Sequence, residues 1–155
     1  MKKIKSLFIF FIIFTLNFSL TFSKNQNFEK EILNLVNIER KKVGIAPLTL
    51  DKNLNKVAQR KIKLVIREGK LNHLAGGYRS FGDFIKDNKI SYSTAGENLA
   101  KKTKTPEETM KLWMNSKGHR ANILNPKFTH LGVAQGLDKN GDFYWVQIFI
   151  KPLEK

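Results

Sequence analysis

An α/β sandwich, a sheet covered by helices on both faces, is the fold class this sequence predicts. Two observations predict it. The stretch FYWVQIFI at 143–150 is apolar on both of its faces, with Gln147 as its one polar residue. A strand apolar on both sides is usually covered on both sides. Upstream, apolar residues recur at helical spacing in separate segments, which supplies the covering layers.

The first helical segment carries Phe28, Ile32, Leu35, Val36 and Val43 on one face and stops at Gly44, a residue suited to a helix end. Pro47 and Leu48 lead to the second, for which Asp51 is the expected N-cap. Its apolar stripe is Leu54, Val57, Ala58, Ile62 and Val65. Lys56, Arg60, Lys63 and Arg67 repeat on the opposite side as a basic stripe. A solvated helix face is the ordinary reading of such a stripe, and a docking surface for an anionic layer the sharper one. Lys61 falls on the apolar side, where it is expected to snorkel. Gly69 ends the segment.

Residues 70–80 read as a loop carrying His73 and Gly76-Gly77. Phe81, Phe84 and Ile85 predict a short helix near 80–88, and residues 91–100 are expected to enter the sheet. Thr105, Pro106 and Glu108 form a capping box, the clearest helix start in the chain. Met110, Trp113 and Met114 share a face of that helix, and Gly118 is its expected stop. A turn is expected through 119–128. A strand around Leu131 and Val133 then joins the last strand through Asp138-Lys139-Asn140-Gly141, where Asn-Gly is a hairpin signal. No internal repeat, low-complexity tract or second domain is evident.

The N-terminus has the plan of a removable secretory signal over residues 1–23: Lys2, Lys3 and Lys5, an apolar run from Leu7 to Leu20, then Thr21-Phe22-Ser23. An uncleaved membrane anchor is the rival reading, but the run is short for a span and is broken by Thr15, Asn17 and Ser19. Residues 24–27 read as a short polar linker and 28–155 as one domain with one core. The chain has no cysteine, which excludes anchoring through a lipidated cysteine and leaves stability to packing. Net charge is +15, or +12 without the leader's three lysines. A field of that sign favours anionic partners such as phospholipid head groups, acidic polysaccharide or nucleic acid. Solubility in a lysine-rich chain explains it equally well.

The chemistry concentrates in Gly96-Glu97-Asn98 and Gly118-His119-Arg120, with Trp113 between them and His73 upstream. Two neutral imidazoles, His73 and His119, can hold Zn²⁺ or a similar divalent cation if the fold brings them together, with water, Glu97 or an external group completing the shell. Bracing a loop is the commoner role for Glu97 and Asn98, and Glu97 is the one candidate general base. His130 has no such context and reads as structural. Ser116 lies three residues before His119, but no G-x-S-x-G elbow or orienting acid supports a nucleophile there. HEXXH, P-loop and GxGxxG patterns are absent, and no nucleic-acid signature appears beyond charge.

Taken together, these residues resemble the CAP superfamily, also called SCP-like, which includes cysteine-rich secretory proteins, venom allergens and plant pathogenesis-related proteins. The resemblance runs over residues 28–150. It is carried by Asn37-Ile38-Glu39-Arg40, PLTLDKNLNKVAQ at 47–59, His73, AGENLA at 95–100, WMNSKGHRANIL at 113–124, LGVAQG at 131–136 and the FYWVQIF strand. The cysteine-free form looks like the bacterial branch. The resemblance implies a three-layer α-β-α sandwich with a central, mainly antiparallel sheet. It also implies a cleft with two histidines and two glutamates. The histidines carry over to His73 and His119 and the first glutamate to Glu97. The second is expected three residues after Trp113, where this chain has Ser116; Glu107 and Glu108 lie too early to replace it. Cleft-lining residues by this reading are Glu97, Asn98, Ser116 and Arg120.

The function expected is an exported, non-enzymatic binding module, on the cell surface, in the periplasm or outside the cell. It has a two-histidine cleft that takes Zn²⁺ or another divalent cation and no organic cofactor. Its basic surface, Lys56, Arg60, Lys63 and Arg67, suits anionic lipid or polysaccharide. A sterol or a host protein is a further partner class, and no specific nucleic acid is expected. The alternatives are a metal-assisted peptidase, with Glu97 moving the proton of a metal-activated water, and a sterol- or membrane-lipid-binding protein.

Overall fold

A computed structural model describes residues 27–153. The expected leader, and the linker up to residue 26, lie outside the described residues. Helix α1 spans Asn27–Lys42, so the last linker residue already belongs to it. Its chain reverses through Gly44, held at φ 72°.

Strand β1 is the two-residue Thr49–Leu50, and α2 runs Lys52–Glu68. The Asp51 carboxylate accepts the Leu54 amide at 2.8 Å, as a cap should. Gly69, at φ 69°, closes the other end. Ser80 caps α3, Phe81–Asp87. Strand β2 is Tyr92–Lys101, and α4 is Pro106–Asn115, capped by Thr105. The Glu108 carboxylate accepts from Lys104 N–H at 2.7 Å, one residue before the cap.

Two expectations fail at the next step. Gly118 does not stop the helix, and residues 119–128 are not simply a turn. Helix α4 ends at Asn115, Ser116 adopts an extended conformation, and a separate helix α5 covers Lys117–Ile123 with Gly118 inside it. The physical reason is that Gly118 keeps an ordinary helical backbone rather than the left-handed one of a C-cap. The break is made two residues earlier, at Ser116.

Strands β3, His130–Leu137, and β4, Phe143–Pro152, complete a sheet in the order β1-β3-β4-β2. The β2–β4 and β3–β4 pairs are antiparallel and the short β1–β3 pair is parallel. The β3–β4 turn is organised by Asp138, whose carboxylate accepts from the Asn140 and Asp142 amides. Every residue of β4 from Tyr144 to Ile150 is buried. Tyr144, Val146, Ile148 and Ile150 pack with α2 and α3 residues such as Leu54, Ile62 and Phe84. Trp145 and Phe149 pack with Ile32, Trp113 and Ile123 of α1, α4 and α5. These two apolar layers, one on each face, make the three-layer α-β-α sandwich.

Helix α2 lies very close to the sheet. A Cβ on Gly132 would stand 2.6 Å from the Leu54 carbonyl, so only glycine admits that approach. Among the described residues, no helix is long and apolar enough to cross a membrane.

Candidate functional site

Strand β2 is the edge of the sheet next to β4, and its successive side chains face opposite layers. Glu97 points to the α2 side and Asn98, paired in register with Gln147, to the α4–α5 side. Chemistry from both layers therefore meets along this edge.

On the first side, Glu97 Oε1 lies 2.7 Å from His73 Nδ1. Glu97 Oε2 faces Lys61 Nζ at 3.6 Å and has no hydrogen-bond partner. Lys61 itself donates to the His73 carbonyl. Its side chain is 0 % exposed and that of Glu97 2 %, while the His73 ring is 57 % exposed. Lys61 therefore does not snorkel. Its ammonium is turned inward, 4.9 Å from the Phe84 ring centroid, because a carboxylate, a carbonyl and an aromatic face wait there. Burial lowers the Lys61 pKa, and the Glu97 charge opposes that shift.

On the second side, Asn98 Nδ2 donates to the His119 carbonyl at 3.1 Å and to Gln147 Oε1 at 3.0 Å. Asn122 Nδ2 donates to Asn98 Oδ1 and to the Glu97 carbonyl. This amide network docks α5, and with it His119, onto β2. His119 Nδ1 is buried without a partner. Burial first, and the charge of His73 second, hold the His119 pKa below its ordinary value.

His73 and Glu97 are thus in direct contact on one face of β2, and Asn98 holds the His119 backbone on the other. Ser116 is half-buried at the α4–α5 junction, and its side chain makes no cap to α5. Arg120 is exposed and reaches the Met114 carbonyl at 3.4 Å, so it braces the junction rather than the cluster. His130 pairs its ring with the Thr129 hydroxyl. Lys56, Arg60, Lys63 and Arg67 are all exposed along α2, and none is in a salt bridge among the described residues.

Three participants escaped the sequence reading. Lys61 was legible only as a cation on an apolar face, and Gln147 only as the odd polar residue in an apolar strand. Asn122 gave no signal beyond its place in the GHRANIL stretch.

The arrangement has a clear chemical limit. Glu97 is turned to His73 and Lys61, behind the exposed ring. Among the described residues no three His, Cys, Asp or Glu side chains are grouped to hold a metal. The Glu97 carboxylate engages His73 through Nδ1, and His119 Nδ1 is buried without a hydrogen-bond partner.

The model of the cysteine-rich secretory protein family, CAP, matches residues 33–149. Over 123 residues the chain is 48% identical to the uncharacterized protein YkwD of Bacillus subtilis, covering 79% of this chain and 47% of that protein. It is 35% identical to the uncharacterized membrane protein YlbC of the same organism, covering 79% and 34%. The chain therefore spans about half the length of the first relative and about a third of the second. An extracellular protein containing an SCP domain from Bacillus anthracis superposes with a TM-score of 0.72 at 28% identity, over 81% of this chain and 41% of that one. An outer surface protein of Borrelia burgdorferi shares the fold, with a TM-score of 0.73 at 20% identity over 80% and 92%.

Proposed function

The chain belongs to the CAP, or cysteine-rich secretory protein, family, and from that premise we propose an exported, non-enzymatic binding module whose cleft takes Zn²⁺ or another divalent cation on His73 and His119. The observation that carries this reading is the 2.7 Å contact between Glu97 Oε1 and His73 Nδ1. A carboxylate on one ring nitrogen fixes the tautomer and leaves the other nitrogen as a lone-pair donor. The unpartnered Nδ1 of His119 and its lowered pKa support the same reading, since a neutral imidazole is the form that binds metal. Water or an external group fills the remaining positions. No organic cofactor belongs to this reading.

Calorimetric Zn²⁺ titration tests it. Binding to the wild type is expected to weaken by at least about 10-fold in His119→Ala, the scale of losing a metal-site partner. Equal affinity in the two proteins would remove the cleft from the proposal.

Export draws support from the extracellular Bacillus anthracis relative, whose SCP domain is 28% identical. The non-enzymatic character draws support from the site. A metal-assisted peptidase would need Glu97 to move a water's proton, and its oxygens face His73 and Lys61 instead. Ser116 offers no second carboxylate.

The partner surface in this reading is the exposed stripe Lys56, Arg60, Lys63 and Arg67, which suits anionic lipid or acidic polysaccharide. Binding to anionic vesicles is expected to fall steeply between about 0.01 M and 0.15 M salt, as the screening length shortens from about 30 to about 8 Å. Salt-insensitive binding would transfer the reading to a sterol or another apolar contact.

A further inference from the structure

We propose that the loop after α2 is a membrane-docking tip: Leu71 and Leu74 enter the interface of a bilayer rich in anionic phospholipid, while Arg67 and Lys70 hold its head groups. The inference rests on the anionic-lipid reading of the basic stripe and adds an orientation to it, with the C-terminal end of α2 facing the bilayer.

Small and large apolar residues trade their usual places in this loop. Ala75 is 0 % exposed and packs in the core with α2, whereas Leu71 and Leu74 are 44 % and 45 % exposed. A single exposed leucine is ordinary. Here two stand within four residues of a loop that is firmly held. Glu68, the last residue of α2, accepts from Asn72 Nδ2 and from the Gly76 amide, both at 2.8 Å. The buried Lys61 ammonium donates to the His73 carbonyl. Turns close from Asn72 to Ala75 and from Leu74 to Gly77. The loop is thus tied at Asn72, His73, Ala75 and Gly76, and its two leucines remain outside. Apolar groups displayed on a preorganised segment bind without a further ordering cost.

The charge beside the leucines selects the partner. Arg67 directly precedes Glu68, and Lys70 directly precedes Leu71. Both cations are exposed, and neither is in a salt bridge among the described residues. Lys56, Arg60 and Lys63 continue the positive charge along the same helix. The acid of the segment, Glu68, spends both carboxylate oxygens inside the loop. An anionic bilayer presents what this tip needs: phosphate head groups for the cations and a hydrocarbon boundary for the leucines. The long stems of Arg67 and Lys70 can lie along that boundary with their charged ends at the phosphates. An acidic polysaccharide answers the charge and leaves the leucines in water, so the lipid surface is the better match.

The test is co-sedimentation with vesicles of phosphatidylglycerol and phosphatidylcholine in equal parts. The described core lies between Ile32 and Ile150 and the family match between residues 33 and 149, so residues 24–155 are used, with circular dichroism to check that each variant folds. Leu71→Asn combined with Leu74→Asn is expected to bind at least about tenfold more weakly than the wild type, with the salt dependence kept. Arg67→Gln combined with Lys70→Gln is expected to flatten the salt dependence instead. The chain has no cysteine, so an environment-sensitive dye can be attached at Leu74→Cys and, as a control, at Val43→Cys, which is exposed just after α1 on the opposite face of the sheet. Vesicles should shift the emission to the blue at position 74 and leave it unchanged at position 43. Leucine variants that bind as tightly as the wild type, or a dye at position 74 that does not shift while the protein is bound, overturn the docking tip and leave the stripe reading standing. No binding to these vesicles at low salt overturns both, and retention of the same protein on polygalacturonate would then assign the stripe to polysaccharide.

Discussion

Alanine in place of Arg40 is expected to lower the free energy of unfolding by at least about 3 kcal/mol, because several buried carbonyls lose their donor at once and each unsatisfied buried acceptor costs about 1–3 kcal/mol. Arg40 ends the buried face of α1 and is completely enclosed. Its guanidinium donates to four carbonyls: Ala46 at 2.8 Å, Ile123 at 2.8 Å, Asn125 at 2.9 Å and Phe128 at 3.1 Å. No carboxylate pairs with it among the described residues. Burial lowers its pKa, yet an arginine remains charged near neutral pH.

The four carbonyls come from the loop after α1, the end of α5 and the segment leading into β3. The last carbonyls of a helix have no partner within it, and Arg40 supplies one for Ile123. Removing it leaves these buried acceptors without a donor. Lysine should recover only part of the loss, because a single ammonium cannot reproduce the planar fork. Urea denaturation checks the expectation: the Arg40→Ala midpoint should fall by at least about 1 M at unchanged m. A shift within the scatter of ordinary surface substitutions would mean that water replaces the guanidinium at little cost.

Arg40 also marks how far the sequence could be read. Helical periodicity located α1 and α2, because each buries one stripe and leaves the other to solvent. The two-sided apolar pattern of β4 announced the layers, because each of its faces is covered by different helices. The α4–α5 break was not legible. Gly118 is the obvious stop by composition, whereas the break falls at Ser116, whose extended backbone no local signal specified. Strand β1 was missed because two residues carry no periodicity. Its pairing with His130 and Leu131 is a tertiary fact.

In the cleft, residue types suggested the reactive groups but not their order. Glu97 beside two histidines suggested a shared pocket, and nothing in its spacing said that it would stand behind His73. Lys61 decides that geometry. Long cations on apolar helix faces usually reach for water, and the alternative required an acid 36 positions later on an edge strand. Arg40 poses the same problem, since its partners are backbone groups, which no residue type advertises.

The Lys61–Glu97 pair carries the other large expected effect. Lys61→Met leaves the Glu97 carboxylate buried beside His73 without its cation, and Glu97→Gln leaves the Lys61 ammonium buried without its anion. Each is expected to cost about 3–5 kcal/mol, whereas Lys61→Met combined with Glu97→Gln should cost clearly less than the sum. The pair also sets a pH dependence. Lys61 has its folded-state pKa held below the ordinary value of about 10.4, chiefly by burial. Between the lowered value and the ordinary one, the unfolded chain binds more protons at this position than the folded one does. Stability contributed by this group therefore rises with pH across that alkaline interval and is lost again toward neutral pH. Urea midpoints measured from neutral pH up to about 10 should show this rise in the wild type and lack it in Lys61→Met. Additive single-site costs together with identical pH profiles would mean that the ammonium and the carboxylate do not sense each other, and that the 3.6 Å approach is a packing coincidence rather than an ion pair.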